Sequence, residues 1–171
     1  IRKDVEERLG VVLVTESGTP AVSDPGARLV EAAFEAGIKV VPVPGPSAVA
    51  VAASVSGFGA DAFHFAGFLP RKPGKRRKVL ETIAALETTL IFFESPYRVA
   101  AMLEDMLQVL GDRRLTVCRE LTKIHEEVWR TTVSKAAERY RGEEPRGEFT
   151  LAVEGRPEAS GPAEHDADEI G

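Results

Sequence analysis

The sequence predicts an α/β protein with two domains, and two patterns along the chain support this fold class. In the first 57 residues, apolar segments typical of buried strands, at 11–15 and 38–43, alternate with helical segments. Such alternation is typical of parallel sheets with right-handed crossovers. From residue 58 to 155, five more strand-like segments are interleaved with helices, which predicts a second, mixed α/β domain. At 171 residues, the chain has room for two small domains.

The N-terminal domain, residues 1–57, is predicted to begin with a charged helix over 1–9. After the first strand, Asp24 suits an N-cap and Pro25 the first turn of a helix over 27–36, which Gly37 ends. After the second strand, residues 44–46 turn the chain into a helix over 47–55. Two strands are too few for a covered parallel sheet, and residue 1 is not Met. We therefore expect this domain to be incomplete and the chain to be an N-terminally truncated fragment.

The C-terminal domain, residues 58–155, follows a glycine-containing segment at 56–61 that is typical of an inter-domain linker. Its strands are predicted over 63–68, 88–93, 115–120, 127–133 and 148–154, the fourth of them edge-like. Its helices are predicted over 75–86, over 96–110 with a stop at Gly111, and over 135–141 with Ser134 as the cap. The last segment, 156–171, has five acidic residues and one basic residue among Pro, Gly and Ala, which predicts a disordered acidic tail.

Composition limits the class of protein. The net charge is −5, but most of it lies in the acidic tail, so the folded part is near neutral and a nucleic-acid partner is not excluded. No apolar run approaches the roughly 20 residues that span a bilayer, so we expect a soluble, cytoplasmic protein. The single cysteine, Cys118, lies in a strand-like segment and is predicted to be a buried thiol. The three histidines share no ligand spacing, so no metal site is expected.

Two Gly/Pro-rich turns, at 18–26 and 44–48, each follow a predicted strand and precede a predicted helix. Backbone amides at such turns lie at the ligand-binding edge of an α/β sheet, so the two turns are expected to line one crevice. Ser47, at the start of its helix, offers a hydroxyl and a helix N-terminus that favour an anionic ligand group. The alternative is that both turns are purely structural and Ser47 is a simple N-cap. Neither turn matches a phosphate-binding or dinucleotide-binding fingerprint.

Charged residues cluster at three further places. Six of the eight residues at 71–78 are basic and lie at a helix start, where the helix dipole disfavours cations, so this run indicates a polyanionic partner, with a merely solvated basic surface as the alternative. Glu94 and Arg98 are predicted to pair at the end of a buried strand, and residues 119–126 place more charge at another strand end. Both are equally compatible with structural salt bridges. No histidine can be placed beside Ser47, so a nucleophilic triad is not supported.

Six segments, taken together, resemble the small-subunit ribosomal RNA methyltransferase I family, a branch of the tetrapyrrole methylase (class III methyltransferase) superfamily. They are TESGTPAVSDPG at 15–26, PGPSA at 44–48, GFLPRK at 67–72, FFESPYR at 92–98, RELTK at 119–123 and GEFTLAVEG at 147–155. The resemblance implies a two-domain tetrapyrrole-methylase fold with S-adenosylmethionine bound between the domains. It also implies a homodimer that methylates the ribose 2′-hydroxyl of a cytidine in the decoding region of 16S rRNA.

The resemblance also implies roles for individual residues. Gly18, Thr19 and Pro20 correspond to one cofactor loop, Ser47 and Ala48 to a second, and Leu121 to the place where the second domain covers the cofactor. RNA phosphates would be held by Arg71, Lys72, Lys75, Arg76, Arg77, Lys78 and Arg98. The base or cation that activates the ribose hydroxyl would come from Glu94, Arg119, Glu120 or Lys123. The family's first strand would lie upstream of Ile1, so we expect this chain alone to bind the cofactor weakly.

Two other functions remain open from the sequence. One is a methyltransferase of the same fold that acts on a tetrapyrrole of the precorrin type, against which the basic run and the RELTK segment argue. The other is a non-catalytic module that binds RNA or protein.

Overall fold

The computed structural model describes residues 10–157, and within it the chain divides into two compact units, Ile1–Ala50 and Val51–Gly171. The helix predicted over 1–9 and most of the acidic tail lie outside the described residues. The domain boundary predicted between residues 57 and 58 stays a prediction.

The N-terminal unit contains helix α1 (Ala27–Glu35) and the start of helix α2 (Ala48–Ser56). Helix α1 begins one residue after Gly26, whose carbonyl accepts hydrogen bonds from Leu29 N and Val30 N at 2.9 and 3.0 Å. Gly26 is therefore the N-cap, and the cap predicted at Asp24 was wrong by two residues. The helix stop predicted at Gly37 is confirmed, because its amide donates to Phe34 O.

The strands predicted over 11–15 and 38–43 do not form in this structure. Neither segment pairs with another part of the described chain, and valines that a sheet would bury are largely exposed, such as Val12 (81%) and Val43 (86%). A strand is stable only when its backbone groups are paired in a ladder, so apolar character alone did not suffice here.

Beyond the end of α2, the described part of the C-terminal unit contains a five-stranded mixed sheet and three helices. Its elements, in chain order, are β1 (Phe63–Phe68), α3 (Pro73–Ile83), β2 (Thr89–Glu94), α4 (Val99–Leu110), β3 (Arg114–Arg119), β4 (Glu127–Thr132), α5 (Val133–Tyr140) and β5 (Phe149–Val153). The strand order is β1-β2-β5-β3-β4, with β1 and β2 parallel and every other pair antiparallel. All five predicted strands are confirmed, as is the edge position of β4.

Helices α3, α4 and α5 cover one face of the sheet, and the hydrophobic core lies between them. Alternate residues of the central strands point into this core because side chains alternate along a strand. They include Leu90 and Phe92 from β2, Leu115 and Val117 from β3, and Phe149, Leu151 and Val153 from β5. On the opposite face, Thr116 donates a hydrogen bond from its hydroxyl to Ser56 O at the end of α2.

Two helix starts differ from the sequence prediction for local reasons. Helix α4 begins at Val99 rather than residue 96, because residues 95–98 form a turn in which Arg98 N and Val99 N both donate to Ser95 O at 3.1 Å. Helix α5 is capped by Thr132, whose hydroxyl accepts from Lys135 N, rather than by Ser134. Ser134 instead donates its amide and hydroxyl to the Asp112 carboxylate, at 2.7 Å each.

The segment predicted as a linker, 56–61, is anchored on the C-terminal unit. The Phe58 ring lies beneath the guanidinium groups of Arg114 and Arg130, at 5.5 and 5.3 Å from the ring centroid. The Thr89 hydroxyl donates to Gly59 O at 3.0 Å. Cation–π contacts and hydrogen bonds of this kind fix where the chain enters β1.

The end of β5 is also closely packed. Gly155 is buried against the backbone of Glu87 and Thr88, so a side chain at this position would collide with main-chain atoms. The next residue, Arg156, donates its amide to Leu86 O at 2.7 Å. The last residue of the GEFTLAVEG segment is therefore glycine for a structural reason. Without a side chain, the chain after β5 can lie directly against the connection between α3 and β2.

Candidate functional site

Four of the six motif segments meet at one edge of the C-terminal sheet. The register pairs Glu94 with Phe149 and Arg119 with Phe149, and the parallel pair β1–β2 places Phe68 beside Phe93. The ends of β1, β2 and β3 and the start of β5 therefore lie side by side. The sheet thus brings together the segments at 67–72, 92–98, 119–123 and 147–155.

Glu94 and Arg98 link the first two of these segments. The Glu94 carboxylate accepts a hydrogen bond from Ser95 N at 2.8 Å and lies 3.2 Å from Arg98 Nη2, which confirms the predicted ion pair. The same Arg98 nitrogen donates to Leu69 O at 2.6 Å. Burial raises the pKa of Glu94, while the Ser95 amide and the Arg98 charge act in the opposite direction. The pair joins the end of β1 to the turn after β2.

Glu120 and Lys123 organise the third segment and connect it to the fourth. Lys123 Nζ lies 2.9 Å from Glu120 Oε1 and 3.0 Å from Glu148 Oε2, and Glu148 N donates to Glu120 Oε1 at 2.8 Å. Glu120 has the left-handed backbone conformation, with φ of 50°. Its side chain occupies the space that a Cβ on Gly147 would need, and Gly147 has φ of 92°, so another residue there would be strained and would displace Glu120. The RELTK segment is therefore a tightly braced loop.

The hydrogen bond from Glu148 N, followed by the one from Lys123, lowers the pKa of Glu120 below its ordinary value. A carboxyl whose pKa is lower in the folded state stabilises the fold above its unfolded-state pKa and loses that contribution as pH falls. We therefore expect acid to loosen this loop first, seen as lower protection factors for amide hydrogen exchange at residues 120–126 below about pH 4, after division by the intrinsic exchange rate at each pH. A Glu120→Gln variant should show the looser loop at neutral pH without the acid-dependent step. An unchanged step in that variant would contradict this assignment.

Arg119, at the end of β3, faces Glu127 at the start of β4. Arg119 Nε lies 3.4 Å from Glu127 Oε2 without hydrogen-bond geometry, so this buried nitrogen has no hydrogen-bond acceptor among the described residues. Glu127 is held more closely by Arg139, at 2.7 Å, and the Arg139 guanidinium lies 4.5 Å from the centroid of the Trp129 ring. This cluster ties helix α5 to the edge strand.

The four candidate catalytic side chains thus all have structural partners. Glu94 is fully buried, and Glu120 holds a loop with a lowered pKa. The two carboxylates raise the pKa of Lys123, so this amine stays protonated at neutral pH. None of the four presents a free base to solvent in this structure.

The basic run divides into two classes of residue. Arg71, Lys72, Lys75 and Lys78 are exposed, and none of them pairs with a carboxylate of the described chain. Arg76 is 3% exposed and lies inside the unit, with Nε 2.6 Å from Asp105 Oδ2 and Nη2 donating to Ala101 O. Arg77 is partly exposed and lies 3.2 Å from the other oxygen of Asp105. The RNA contact predicted for Arg76 does not suit this buried position.

Asp105 and Glu148 are partners that the sequence prediction missed. Asp105 lies on the apolar face of α4, beside the buried Met102 and Met106, and an acidic residue at such a position signals a buried cation. Arg76 carries the matching signal, because it shares a helix face with the buried Leu80. Glu148 had no comparable signal, since its role depends on the sheet pairing.

In the N-terminal unit, the two Gly/Pro turns do meet as predicted. The Thr19 hydroxyl donates to Pro46 O at 3.1 Å, and Gly18, with φ of 71°, lies against the same carbonyl. Ser47 Oγ accepts from Ala50 N at 3.4 Å, so Ser47 does cap α2. Gly18 and Thr19 are exposed, and Pro20, Ser47 and Ala48 are half-buried. Leu121, the remaining predicted cofactor contact, is half-buried in the C-terminal unit.

Other parts of the described chain bear on function as well. Cys118 is buried as predicted, and burial raises its pKa to about 11, so the thiol stays protonated and unreactive at neutral pH. Within residues 10–157, no group of three or more His, Cys, Asp and Glu side chains is arranged to hold a metal ion. The helices over the same residues are all too short or too polar to cross a membrane.

Comparison with known proteins identifies the family of the chain. A family model described as Tetrapyrrole (Corrin/Porphyrin) Methylases matches residues 1–137. Among curated proteins, the chain is 45% identical over 161 residues to "Ribosomal RNA small subunit methyltransferase I" of Halalkalibacterium halodurans, which covers 94% of this chain and 56% of that protein. The protein of the same name from Thermotoga maritima is 42% identical over 153 residues, which covers 89% of this chain and 68% of that protein. The chain thus spans about half the length of many of the relatives it matches.

Solved structures agree on the fold. The methyltransferase CobJ superposes with a TM-score of 0.67 at 22% identity, covering 90% of this chain and 67% of that one. A uroporphyrin-III C-methyltransferase from Thermus thermophilus, complexed with S-adenosyl homocysteine, superposes with a TM-score of 0.54 at 20% identity, covering 79% and 62%.

Proposed function

We propose that the protein is an RNA methyltransferase. The basis is its family: the chain belongs to the tetrapyrrole methylase family and, within it, to the ribosomal RNA small subunit methyltransferase I family. The enzyme would transfer a methyl group from S-adenosylmethionine to the ribose 2′-hydroxyl of a cytidine in the decoding region of 16S rRNA. It would act on the small ribosomal subunit in the cytoplasm, as a homodimer.

The observation that carries the proposed substrate is the exposed basic surface formed by Arg71, Lys72, Lys75 and Lys78, hereafter the basic surface. Three of these four lie at or just before the first turns of α3, where the helix dipole makes cations unfavourable. No carboxylate of the described chain compensates them. Uncompensated cations spread over a loop and a helix start suit the phosphates of a polymer. A small acceptor would need fewer of them.

For the cofactor, we propose the two turns that meet in the N-terminal unit, with Gly18, Thr19 and Pro20 on one and Ser47 and Ala48 on the other. The bond from Thr19 to Pro46 O holds the turns together, and Gly18, with φ of 71°, has a backbone conformation that favours glycine. Leu121 is proposed as a further cofactor contact.

The reaction itself is an in-line displacement. S-adenosylmethionine would supply the methyl group: the ribose 2′-oxygen would bond to the methyl carbon as the carbon–sulfur bond breaks, S-adenosylhomocysteine would leave, and the hydroxyl proton would pass to water. Orientation supplies much of the catalysis in such a step. The side chains that hold the edge where the motif segments meet are Glu94, Arg119, Glu120 and Lys123. We therefore propose that these four residues position the reacting groups. The Glu94–Arg98 pair and the Glu120–Lys123 pair keep that edge rigid.

The proposal is tested with protein expressed from its complete reading frame, tritiated S-adenosylmethionine, and either unmodified small ribosomal subunits or a corrin precursor as acceptor. We expect tritium in 16S rRNA alone, at one nucleotide whose 3′-phosphodiester has become resistant to alkali, because a 2′-O-methyl group blocks that cleavage. Transfer to the corrin precursor instead would favour a tetrapyrrole methyltransferase. A calorimetric titration with S-adenosylmethionine that shows no heat of binding would favour a non-catalytic module.

A further inference from the structure

Two large aromatic side chains remain exposed at the edge where the motif segments meet. Tyr97 is 92% exposed, in the turn between β2 and α4, and Phe68 is 54% exposed at the end of β1. Aromatic side chains of this size usually bury most of their surface, so two exposed ones on adjacent turns need an explanation.

The backbone beneath Tyr97 is rigidly held although its side chain has no partner. Its neighbours Glu94, Ser95 and Arg98 are joined by the ion pair and hydrogen bonds described above, and Arg98 also binds Leu69 O. The phenol makes no hydrogen bond within the described chain. The Tyr97 ring therefore extends into solvent from a backbone that is held in place. Because little backbone entropy is lost when this ring binds a ligand, the entropic cost of binding is low.

Phe68 lies on the adjacent turn. Its ring packs against Phe93, with the centroids 5.6 Å apart and the planes tilted by 59°, and its strand partner in the register is the same Phe93. The bond from Arg98 to Leu69 O joins the residue after Tyr97 to the residue after Phe68. The two exposed rings thus flank one hydrogen bond.

The charge around these rings identifies the class of ligand. The basic surface begins three residues after Phe68, at Arg71. The carboxylates of the edge are already paired, Glu94 with Arg98 and both Glu120 and Glu148 with Lys123. Exposed aromatic rings beside uncompensated cations are the combination with which proteins hold unpaired nucleotides, the rings stacking on bases and the cations on phosphates.

We propose that Tyr97 and Phe68 form a stacking platform for unpaired bases of the RNA substrate, next to the phosphate contacts of the basic surface. This inference rests on the proposed function in one respect, namely that the ligand is RNA. It adds that the enzyme selects a single-stranded or splayed-out segment rather than a duplex, and it places the specificity on these two rings.

The test compares Tyr97→Ala with Tyr97→Phe in the protein expressed from its complete reading frame. Binding is measured for a hairpin RNA with an unpaired loop and for a duplex with the same number of phosphates, and a fluorescent adenine analogue in the loop reports stacking. We expect Tyr97→Ala to weaken loop binding by roughly tenfold and to abolish the fluorescence quench, with little change for the duplex. Tyr97→Phe should behave like the wild type. As a control, Phe63→Ala removes a partly exposed ring at the opposite end of β1 and should leave loop binding unchanged.

The outcomes separate this inference from the proposed function. Equal loop affinities for Tyr97→Ala and the wild type overturn the stacking platform, whether or not the wild type transfers methyl groups. A dimer that Tyr97→Ala dissociates, with RNA affinity unchanged, would also overturn it, in favour of contact with a second copy. If loop binding depends on the ring but no methyl group reaches the small subunit, the platform is supported and the proposed reaction is rejected.

Discussion

Replacing Arg71, Lys72, Lys75 and Lys78 together with glutamine is expected to weaken binding of a small-subunit RNA fragment by roughly 10²- to 10³-fold at about 0.1 M salt. Each lost phosphate contact removes about 0.7 from the slope of log affinity against log salt for single-stranded nucleic acid, so the slope should flatten by roughly three. Filter binding or fluorescence anisotropy across a salt series measures both. The thermal midpoint should hardly move, because these side chains are exposed and unpaired.

A control with the same change of net charge distinguishes a local surface from a general charge effect. Four exposed cations elsewhere in the described chain, Arg28, Lys39, Lys135 and Arg146, are replaced by glutamine. This control should bind RNA nearly as well as the wild type. If both quadruple variants lose affinity equally, the basic surface is not the RNA site, and the effect is the field of the whole protein.

The division of the basic run shows what periodicity could and could not reveal. A count of charges treats residues 71–78 as one patch, but helical spacing places Arg76 on the same face as Leu80 and Ile83, which are buried. The same spacing argument places Asp105 on the apolar face of α4, where it is the partner of Arg76. Of the exposed members of the run, Lys75 and Lys78 lie off that face, and Arg71 and Lys72 precede the first residue of α3.

The predicted strands also show that a local sequence pattern does not fix the structure of a segment by itself. In the C-terminal unit, the sequence pattern located all five strands, by alternation at 63–68 and by a continuous apolar run at 88–93, for example, because each strand has neighbours in the sheet and its pattern reflects real burial. The segments at 11–15 and 38–43 have an equally apolar composition but no ladder partner among the described residues. The local sequence determines whether a segment prefers the extended conformation. Whether the segment forms a strand depends on distant residues that supply its hydrogen-bond partners.

The motif segments were identified by their resemblance to a family, but their meeting at one edge depends on strand order. The sequence predicts that Glu94 and Arg98 pair, because one ends a buried strand and the other lies at the start of the next helix. It does not predict that Arg98 binds Leu69 O or that Glu148 closes the Glu120–Lys123 pair. Those contacts arise from the parallel β1–β2 pair and from the insertion of β5 between β2 and β3.

Asp105→Ala is expected to destabilise the C-terminal unit by about 3–5 kcal/mol, the cost of leaving a buried cation without its counter-ion. Asp105 is 6% exposed and receives both Arg76 and Arg77, and Arg76 itself is 3% exposed. Urea unfolding followed by circular dichroism measures the loss as a lower midpoint with an unchanged slope. Arg77→Gln should cost less than 1 kcal/mol, because the Arg77 side chain is 39% exposed and its pair is screened by water.

The double variant Arg76→Met/Asp105→Leu separates the pair's own stabilisation from the cost of breaking it. When both charges are replaced by apolar side chains of similar volume, neither is left buried alone, and stability should return to within about 2 kcal/mol of the wild type. Each single variant should therefore be less stable than the double variant. If the losses of the two single variants simply add in the double variant, Arg76 and Asp105 do not act as a coupled buried pair. With Arg76 inside the unit, RNA affinity in the double variant should remain at the wild-type level, which would exclude Arg76 from the phosphate contacts.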